Sequence, residues 1–265
     1  MATPANLRSN LSEFELSVLH AISVHKVILA AQILEICNAS SLRKVQRLLV
    51  ELEQKRLVIS RPYKQTGNPN AWAITKLGLK VAHRNSDKLS IKLKQWTPRV
   101  GAHTAGHILA INDTEVVLKQ LEKSQEHDFR VELVQHEPEC WRRFNDDVRD
   151  GVWLKPDMYV ETSRLENGKR YRFKWFLEVD LDTERPHRVL SKCEVYVNYW
   201  RNEKPATLPL IVWVVPDEIR KNSLQPKIID KFDKLARFFK VITVDELPDL
   251  MTKWLPNQGE SGDKL

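Results

Sequence analysis

The chain has 265 residues and a formal net charge of +7, with 42% hydrophobic and 29% charged residues. This composition predicts a packed core and excludes wholesale disorder. Its apolar stretches are far shorter than the roughly 18 residues that span a bilayer, and no secretory signal pattern opens it. Three cysteines without a CxxC pair argue against a disulfide scaffold or a cysteine-rich zinc site.

The charge is divided unevenly along the chain. Residues 1–110 carry a net charge of +10, whereas the remainder carries −3. The segment 43–99 holds 14 basic residues against three acidic ones. This asymmetry predicts a nucleic-acid-binding N-terminal part joined to a C-terminal part with another task.

The N-terminal part shows three helical patterns followed by two strands. Ser12 and Glu15 form a capping-box pattern before the first helix, and a second helix is predicted over Val27–Cys37. Ser40 or Ser41 caps a third helix that extends to about Lys55. Strands at 57–61 and 71–74 flank a turn-forming cluster, and Thr75 caps a further helix. Three helices and a hairpin are typical of a winged helix-turn-helix.

The third helix is the expected DNA-reading element. Its predicted polar face would enter the major groove, and the wing would contact the DNA backbone. The predicted DNA-binding residues are Arg43, Lys44, Gln46, Arg47, Arg61 and Lys64. A solvated helix face, or a winged helix that contacts protein, is the alternative.

The middle of the chain connects the two parts. We predict a linker or loose strand over 88–99 and a long helix over 102–123. His103 and His107 are four residues apart on that helix, but the Glu of a zinc-binding H-E-x-x-H motif is missing, so packing is favoured over metal binding.

The C-terminal part alternates strands and helices. Strands are predicted at 129–134, 155–160, 171–179, 208–215 and 241–244, with a hairpin turn at Asn167-Gly168. Helices are predicted at 186–200 and 218–239, with a possible break at Pro226. This pattern indicates an α/β layer on a mixed sheet, so the whole chain is α+β.

Three acidic residues fall at the ends of neighbouring strands. Asp157 begins one strand, and Glu178 and Asp180 end its hairpin partner, two residues apart and so on one face. Carboxylates on an apolar strand pair are costly unless they bind a hard cation or titrate. We therefore predict a site for Mg²⁺ or Mn²⁺, which can activate water and neutralise charge on a phosphate. Pairing with Arg172 and Arg188 is the alternative.

The C-terminal residues resemble a known nuclease fold, and the whole arrangement resembles a known family. Pro156-Asp157, Glu178-x-Asp180 and Lys192-x-x-x-Tyr196 are similar to the PD-(D/E)xK nuclease pattern. Together with the winged helix and the helix His107–Asp113, they resemble the replication-relaxation family over about residues 12–215, including the MOBC class of plasmid mobilisation relaxases.

The resemblance implies metal-dependent nicking of one DNA strand at a transfer origin. By position, Asp157, Glu178 and Asp180 would be the metal ligands, and Asp180 stands where the nuclease pattern has Lys. Lys192 could replace that Lys from the helix and stabilise transition-state charge, unless it is a solvated side chain. Glu184 is a weaker outer candidate.

Tyrosine chemistry is a further possibility. Tyr196 and Tyr199 share a helical face with Lys192, and either hydroxyl could attack a phosphate. The His-x-His motif of tyrosine relaxases is absent from the sequence. Packing, or a hydrogen bond to the acidic cluster, is therefore the favoured tyrosine role.

We expect residues 1–99 to form the winged-helix domain with its linker, 100–256 the nuclease-like domain and 257–265 a flexible tail. The expected partners are duplex DNA at a transfer origin or operator-like site and other mobilisation proteins, in the bacterial cytoplasm without a membrane. The alternatives to a nickase are a catalytically inactive accessory protein or repressor, and a repair or restriction nuclease of the same fold.

Overall fold

The computed structural model describes residues 4–62, 70–83, 102–125, 128–146, 150–205 and 207–253. The chain divides into two compact units, Met1–Lys119 and Gln120–Leu265. Helices accompany a five-stranded mixed sheet, so the fold is mixed α and β. The boundary expected at residue 99, the linker 88–99 and the tail 257–265 lie outside the described residues.

The first unit combines short helices with a three-stranded antiparallel sheet of order β1-β3-β2. Its elements are α1 Pro4–Ser9, α2 Glu13–His25, β1 Ile28–Leu29, α3 Ala30–Ile36, α4 Leu42–Gln54, β2 Val58–Pro62, β3 Asn70–Ile74, α5 Lys76–Ala82 and the greater part of α6 Ala102–Ser124.

Side-chain caps begin three of these helices, as the sequence predicts. Ser12 Oγ accepts a hydrogen bond from Glu15 N at 3.2 Å, and the Glu15 carboxylate accepts one from Ser12 N at 2.8 Å. Ser41 Oγ accepts from Lys44 N, and Thr75 Oγ1 accepts from Gly78 N. Each cap satisfies an N–H group that has no partner within its helix.

The second helix begins three residues later than its apolar pattern predicts. Ile28 and Leu29 are extended and pair with Trp72 and Ala71 of β3. Gln32 Oε1 then accepts the Leu29 N–H at 3.0 Å, at the start of α3. The prediction for residues 27–29 is wrong because pairing with a strand distant in sequence overrides a local helical period.

The second unit is built on a five-stranded sheet of order β10-β9-β8-β7-β4, and β5 and β6 form a separate hairpin. The β8–β9 and β9–β10 pairs are parallel, whereas the β4–β7 and β7–β8 pairs are antiparallel. The elements are β4 Arg130–His136, β5 Arg142–Phe144, β6 Val152–Leu154, β7 Met158–Glu166, β8 Lys169–Val179, α7 Pro186–Glu203, β9 Leu210–Val215, α8 Glu218–Phe232, β10 Phe239–Thr243 and α9 Leu247–Lys253.

Two local signals in this unit are confirmed. Asn167 and Gly168 both have positive φ, 48° and 76°, as the two-residue turn between β7 and β8 requires. Strand β9 is buried along its whole length between β8 and β10, which agrees with its continuous apolar run.

The possible break at Pro226 is wrong. Helix α8 continues through Pro226 to Phe232, and a 3-10 segment over Asp233–Phe238 follows. Leu224 and Ile228, on either side of the proline, are fully buried. Their packing holds the helix in place despite the backbone hydrogen bond that proline cannot make.

Candidate active site

The strand register places Asp157 beside the end of β8. Met158, the first residue of β7, pairs with Leu177, so Asp157 just before the strand lies at the level of Glu178. Asp157 Oδ2 accepts a hydrogen bond from the Val179 N–H at 2.8 Å. Both acidic side chains are buried. The hairpin therefore brings the first two predicted site residues to one edge of the sheet.

Helix α7 completes the surroundings of Glu178. Glu178 pairs with Trp213 of β9, and its side chain meets two α7 residues one turn apart. Lys192 Nζ donates to Glu178 Oε2 at 2.6 Å, and the Tyr196 hydroxyl donates to Oε1. Residues at i and i+4 on a helix share one face, so a single face of α7 supplies both donors.

The electrostatics of this cluster follow from burial. Burial raises the pKa of Glu178 to about 8; the Lys192 ammonium opposes this shift and the charge of Asp157 adds to it. Burial also lowers the pKa of Lys192, but the carboxylates of Glu178 and Asp157 more than offset that and hold it above its ordinary value. Lys192 is therefore a cation held against two acidic groups.

Asp180 lies in a different set of contacts. Arg220 of α8 donates from Nε and Nη2 to Asp180 Oδ2, at 2.8 and 2.6 Å. Among the described residues, the ligand oxygens of Asp157, Glu178 and Asp180 do not form a group within 4.8 Å of one another. The assignment of Asp180 as a third metal ligand thus stays a prediction from the family resemblance.

The tyrosines and Glu184 have distinct environments. Burial, with the charge of Glu178, raises the pKa of Tyr196 well above its ordinary value, so its hydroxyl is a proton donor here. Tyr199 packs edge-on against Phe144, with ring centroids 5.6 Å apart. The Glu184 side chain is exposed, and its backbone carbonyl accepts a hydrogen bond from Arg220.

Asp157 and Glu178 have the donor chemistry that a hard divalent cation would take. They present carboxylate oxygens from two adjacent strand ends, and the charge of Asp157 contributes to the raised pKa of Glu178. Mg²⁺ is commonly held by one or two protein carboxylates plus substrate phosphates and water. A dication there would relieve the repulsion between the two acids.

The predicted DNA-reading residues lie on the exposed face of α4. Its buried face packs into the core of the first unit through Val45, Leu48, Leu49 and Leu52. The exposed side chains include Arg43, Lys44, Gln46 and Arg47. The Arg61 side chain and the whole of Lys64 lie outside the described part of the chain.

Sequence reasoning did not find the roles of Arg220 and Asn112. Arg220 reaches Asp180 from 40 residues away, and no local pattern marks it. Asn112 donates to the Val27 carbonyl at 2.8 Å and shares a 2.9 Å hydrogen bond with His25. Asn112 belongs to α6, the helix that contributes to the family resemblance. Its two hydrogen bonds join α6 to His25, at the end of α2, and to Val27.

Comparison with known proteins confirms the resemblance. Residues 19–210, more than half of the chain, match the family model described as replication-relaxation. Neither the curated proteins nor the solved structures include a match. Among the described helices, none has the length and apolar character needed to cross a membrane.

Proposed function

Since the chain belongs to the replication-relaxation family, we propose that it nicks one DNA strand at the transfer origin of a plasmid or another mobile element. Family membership indicates a general role in replication or mobilisation of such elements. The observation that carries the nicking proposal is the buried Asp157–Glu178 pair with Lys192 at 2.6 Å from Glu178. This group would join the oxygen ligands of a metal ion to a fixed positive charge.

Each side chain has a part in phosphodiester cleavage. Asp157 and Glu178 would hold Mg²⁺ or Mn²⁺, which supplies an activated water and neutralises phosphate charge. Lys192 remains protonated because two carboxylates raise its pKa, and it can stabilise negative charge on the scissile phosphate. Tyr196 holds the Glu178 carboxylate in one orientation through its hydroxyl.

The first unit supports site-specific binding of duplex DNA. The order of its helices and its β1-β3-β2 sheet agree with a winged helix whose three helices are α2, α3 and α4. The cations Arg43, Lys44 and Arg47 are exposed on α4 and suit phosphate or base-edge contacts. In the second unit, Asp157 and Glu178 lie at the ends of two adjacent strands of a mixed sheet, which supports a PD-(D/E)xK-like domain.

A plasmid nicking assay tests the proposal. The full chain is incubated with supercoiled DNA that carries the element's origin, in Mg²⁺ or Mn²⁺, and open circles are counted. We expect the wild-type chain to form open circles and EDTA to abolish them. The Asp157→Asn variant should form none while it still binds duplex DNA. The matched control is Asp249→Asn, which changes an exposed aspartate of α9. Undiminished nicking by Asp157→Asn contradicts the site.

A DNA-binding accessory protein or repressor is the second candidate function. The contacts of the acids favour it, because Lys192 and Tyr196 occupy both oxygens of Glu178 and Arg220 binds Asp180. This candidate predicts origin binding without open circles in any divalent metal. A repair or restriction nuclease would instead cut plasmids that lack the origin.

A further inference from the structure

The β5–β6 hairpin has one buried and one exposed face. Phe144 and Leu154 point into the core of the second unit and are almost fully buried. Arg143 pairs directly with Trp153, so these two side chains lie on the opposite face. Trp141 and Lys155 flank the two strands. Lys155 is exposed, and Trp141, which is partly buried against the core of the second unit, contacts Trp153 and Lys155 through its ring. We call these four residues the outer face.

Aromatic rings and cations alternate on the outer face. Trp153 is 49% exposed, and its ring meets that of Trp141 edge-on with centroids 6.3 Å apart. Lys155 Nζ lies 4.7 Å from the centre of the Trp141 ring. The Arg143 guanidinium lies against Gly151, where a Cβ would come within 2.7 Å of Nη2. A half-exposed tryptophan ring beside two cations does not contribute to packing of the core, so core packing does not explain Trp153.

The outer face leads to the candidate active site. Lys155 is two residues before Asp157, which is about 7 Å along an extended chain. Cys140 Sγ lies 3.0 Å from the Pro156 carbonyl, and Phe144 packs against Tyr199 of α7. These contacts attach the hairpin to the elements that carry Asp157 and Lys192.

We propose that the outer face binds the single DNA strand next to the scissile phosphate. Trp153 stacks on a base, and Lys155 contacts a phosphate. Aromatic rings beside cations are the usual elements of single-strand binding, because every base has a face for stacking. Asp146 and Asp150 lie near the end of the hairpin that is away from Lys155, so phosphate is expected near Lys155. The inference rests on the proposed function for its substrate.

Fluorescence anisotropy with a labelled 20-nucleotide oligothymidine tests the proposal. The full chain carries Arg43→Ala and Arg47→Ala, which remove cations of the α4 surface, and divalent metal is left out. We expect Trp153→Ala to weaken binding about tenfold, the size of one lost base stack. Trp153→Phe should retain most of the affinity. The control is Tyr171→Ala, which removes a 40% exposed aromatic ring near the other end of β8.

Photo-crosslinking covers the case in which a variant fails to fold. The wild-type chain is irradiated with an oligonucleotide that contains 5-iododeoxyuridine, and adducts are located by mass spectrometry. Adducts at Trp153 or Trp141 support the proposal, whereas adducts confined to other segments overturn it. A folded Trp153→Ala variant with unchanged affinity for oligothymidine also overturns the proposal. That result is expected if the outer face binds a protein instead of DNA.

The two proposals fail in different ways. If the chain never nicks DNA but Trp153→Ala loses single-strand affinity, the nickase assignment alone is wrong. If the chain nicks its origin and Trp153→Ala binds and nicks like the wild type, only the role of the outer face is wrong.

Discussion

Lys192 of helix α7 lies 2.6 Å from the buried carboxylate of Glu178 on strand β8. In the nuclease pattern the lysine is expected two residues after Glu178, where this chain has Asp180. The structure thus brings a lysine to the acidic pair from the following helix. Asp180, in contrast, contacts Arg220.

Replacing Lys192 should reduce nicking much more than it reduces DNA binding. Lys192→Met keeps the length of the side chain but removes the charge that would stabilise the transition state, so we expect about a 100-fold loss of nicking rate. The initial rate of open-circle formation measures the effect, beside duplex affinity. Arg201→Met is the control, since it removes an exposed cation near the end of the same helix. A Lys192→Met rate equal to that of the wild type rules out this role.

The Arg220–Asp180 ion pair should matter for stability. Arg220→Met leaves a buried carboxylate without its partner, which costs about 3 kcal/mol. Urea denaturation measures the free energy of unfolding. The double variant with Asp180→Asn should recover part of the loss, because no buried charge then remains. Lys221→Met is the comparison: it breaks ion pairs that are more exposed and should cost about 1 kcal/mol or less.

The basic face of α4 should account for much of the salt dependence of duplex binding. If Arg43 and Arg47 contact phosphates, changing each to Ala lowers the slope of log affinity against log salt concentration by about one. Titrations at several salt concentrations give that slope. Lys80→Ala removes an exposed cation of α5 and should leave it unchanged. An unchanged slope in the Arg43 and Arg47 variants would move the DNA contact elsewhere.

The three thiols should react slowly in the folded protein. Burial raises the pKa of Cys140 and Cys193 to about 12 and that of Cys37 to about 11. A raised pKa leaves less thiolate at pH 8, and the thiolate is the reactive form. Ellman's reagent should label little at pH 8, and all three residues after urea denaturation. Rapid labelling of Cys140 or Cys193 without urea is the contrary result.

Gly78 should tolerate no side chain. A Cβ there would lie 1.9 Å from the Leu57 carbonyl oxygen, which also accepts the Thr75 N–H. We expect Gly78→Ala to lower the free energy of unfolding by about 1–3 kcal/mol, as overpacking does. Gly168→Asn is the control, because nothing lies near that Cβ and Asn adopts positive φ readily. Equal melting temperatures for the wild type and Gly78→Ala would contradict the expectation.

Local patterns in the sequence determined much of the fold. The caps at Ser12, Ser41 and Thr75 and the Asn167-Gly168 turn depend on neighbours within a few residues. The exposed basic face of α4 follows from a 3.6-residue period that the sequence shows directly. The acidic residues at adjacent strand ends also follow from alternation along a hairpin.

The tertiary structure decided which contacts each of these acids makes. Asp157 and Glu178 lie at the same end of one hairpin. The lysine beside them, Lys192, comes from α7, and Arg220, which binds Asp180, comes from α8. It also decided that residues 28–29 pair with β3 and that α8 continues through Pro226. The sequence by itself determined residue types and local periods. Contacts between distant segments depend on packing free energies that no local pattern contains.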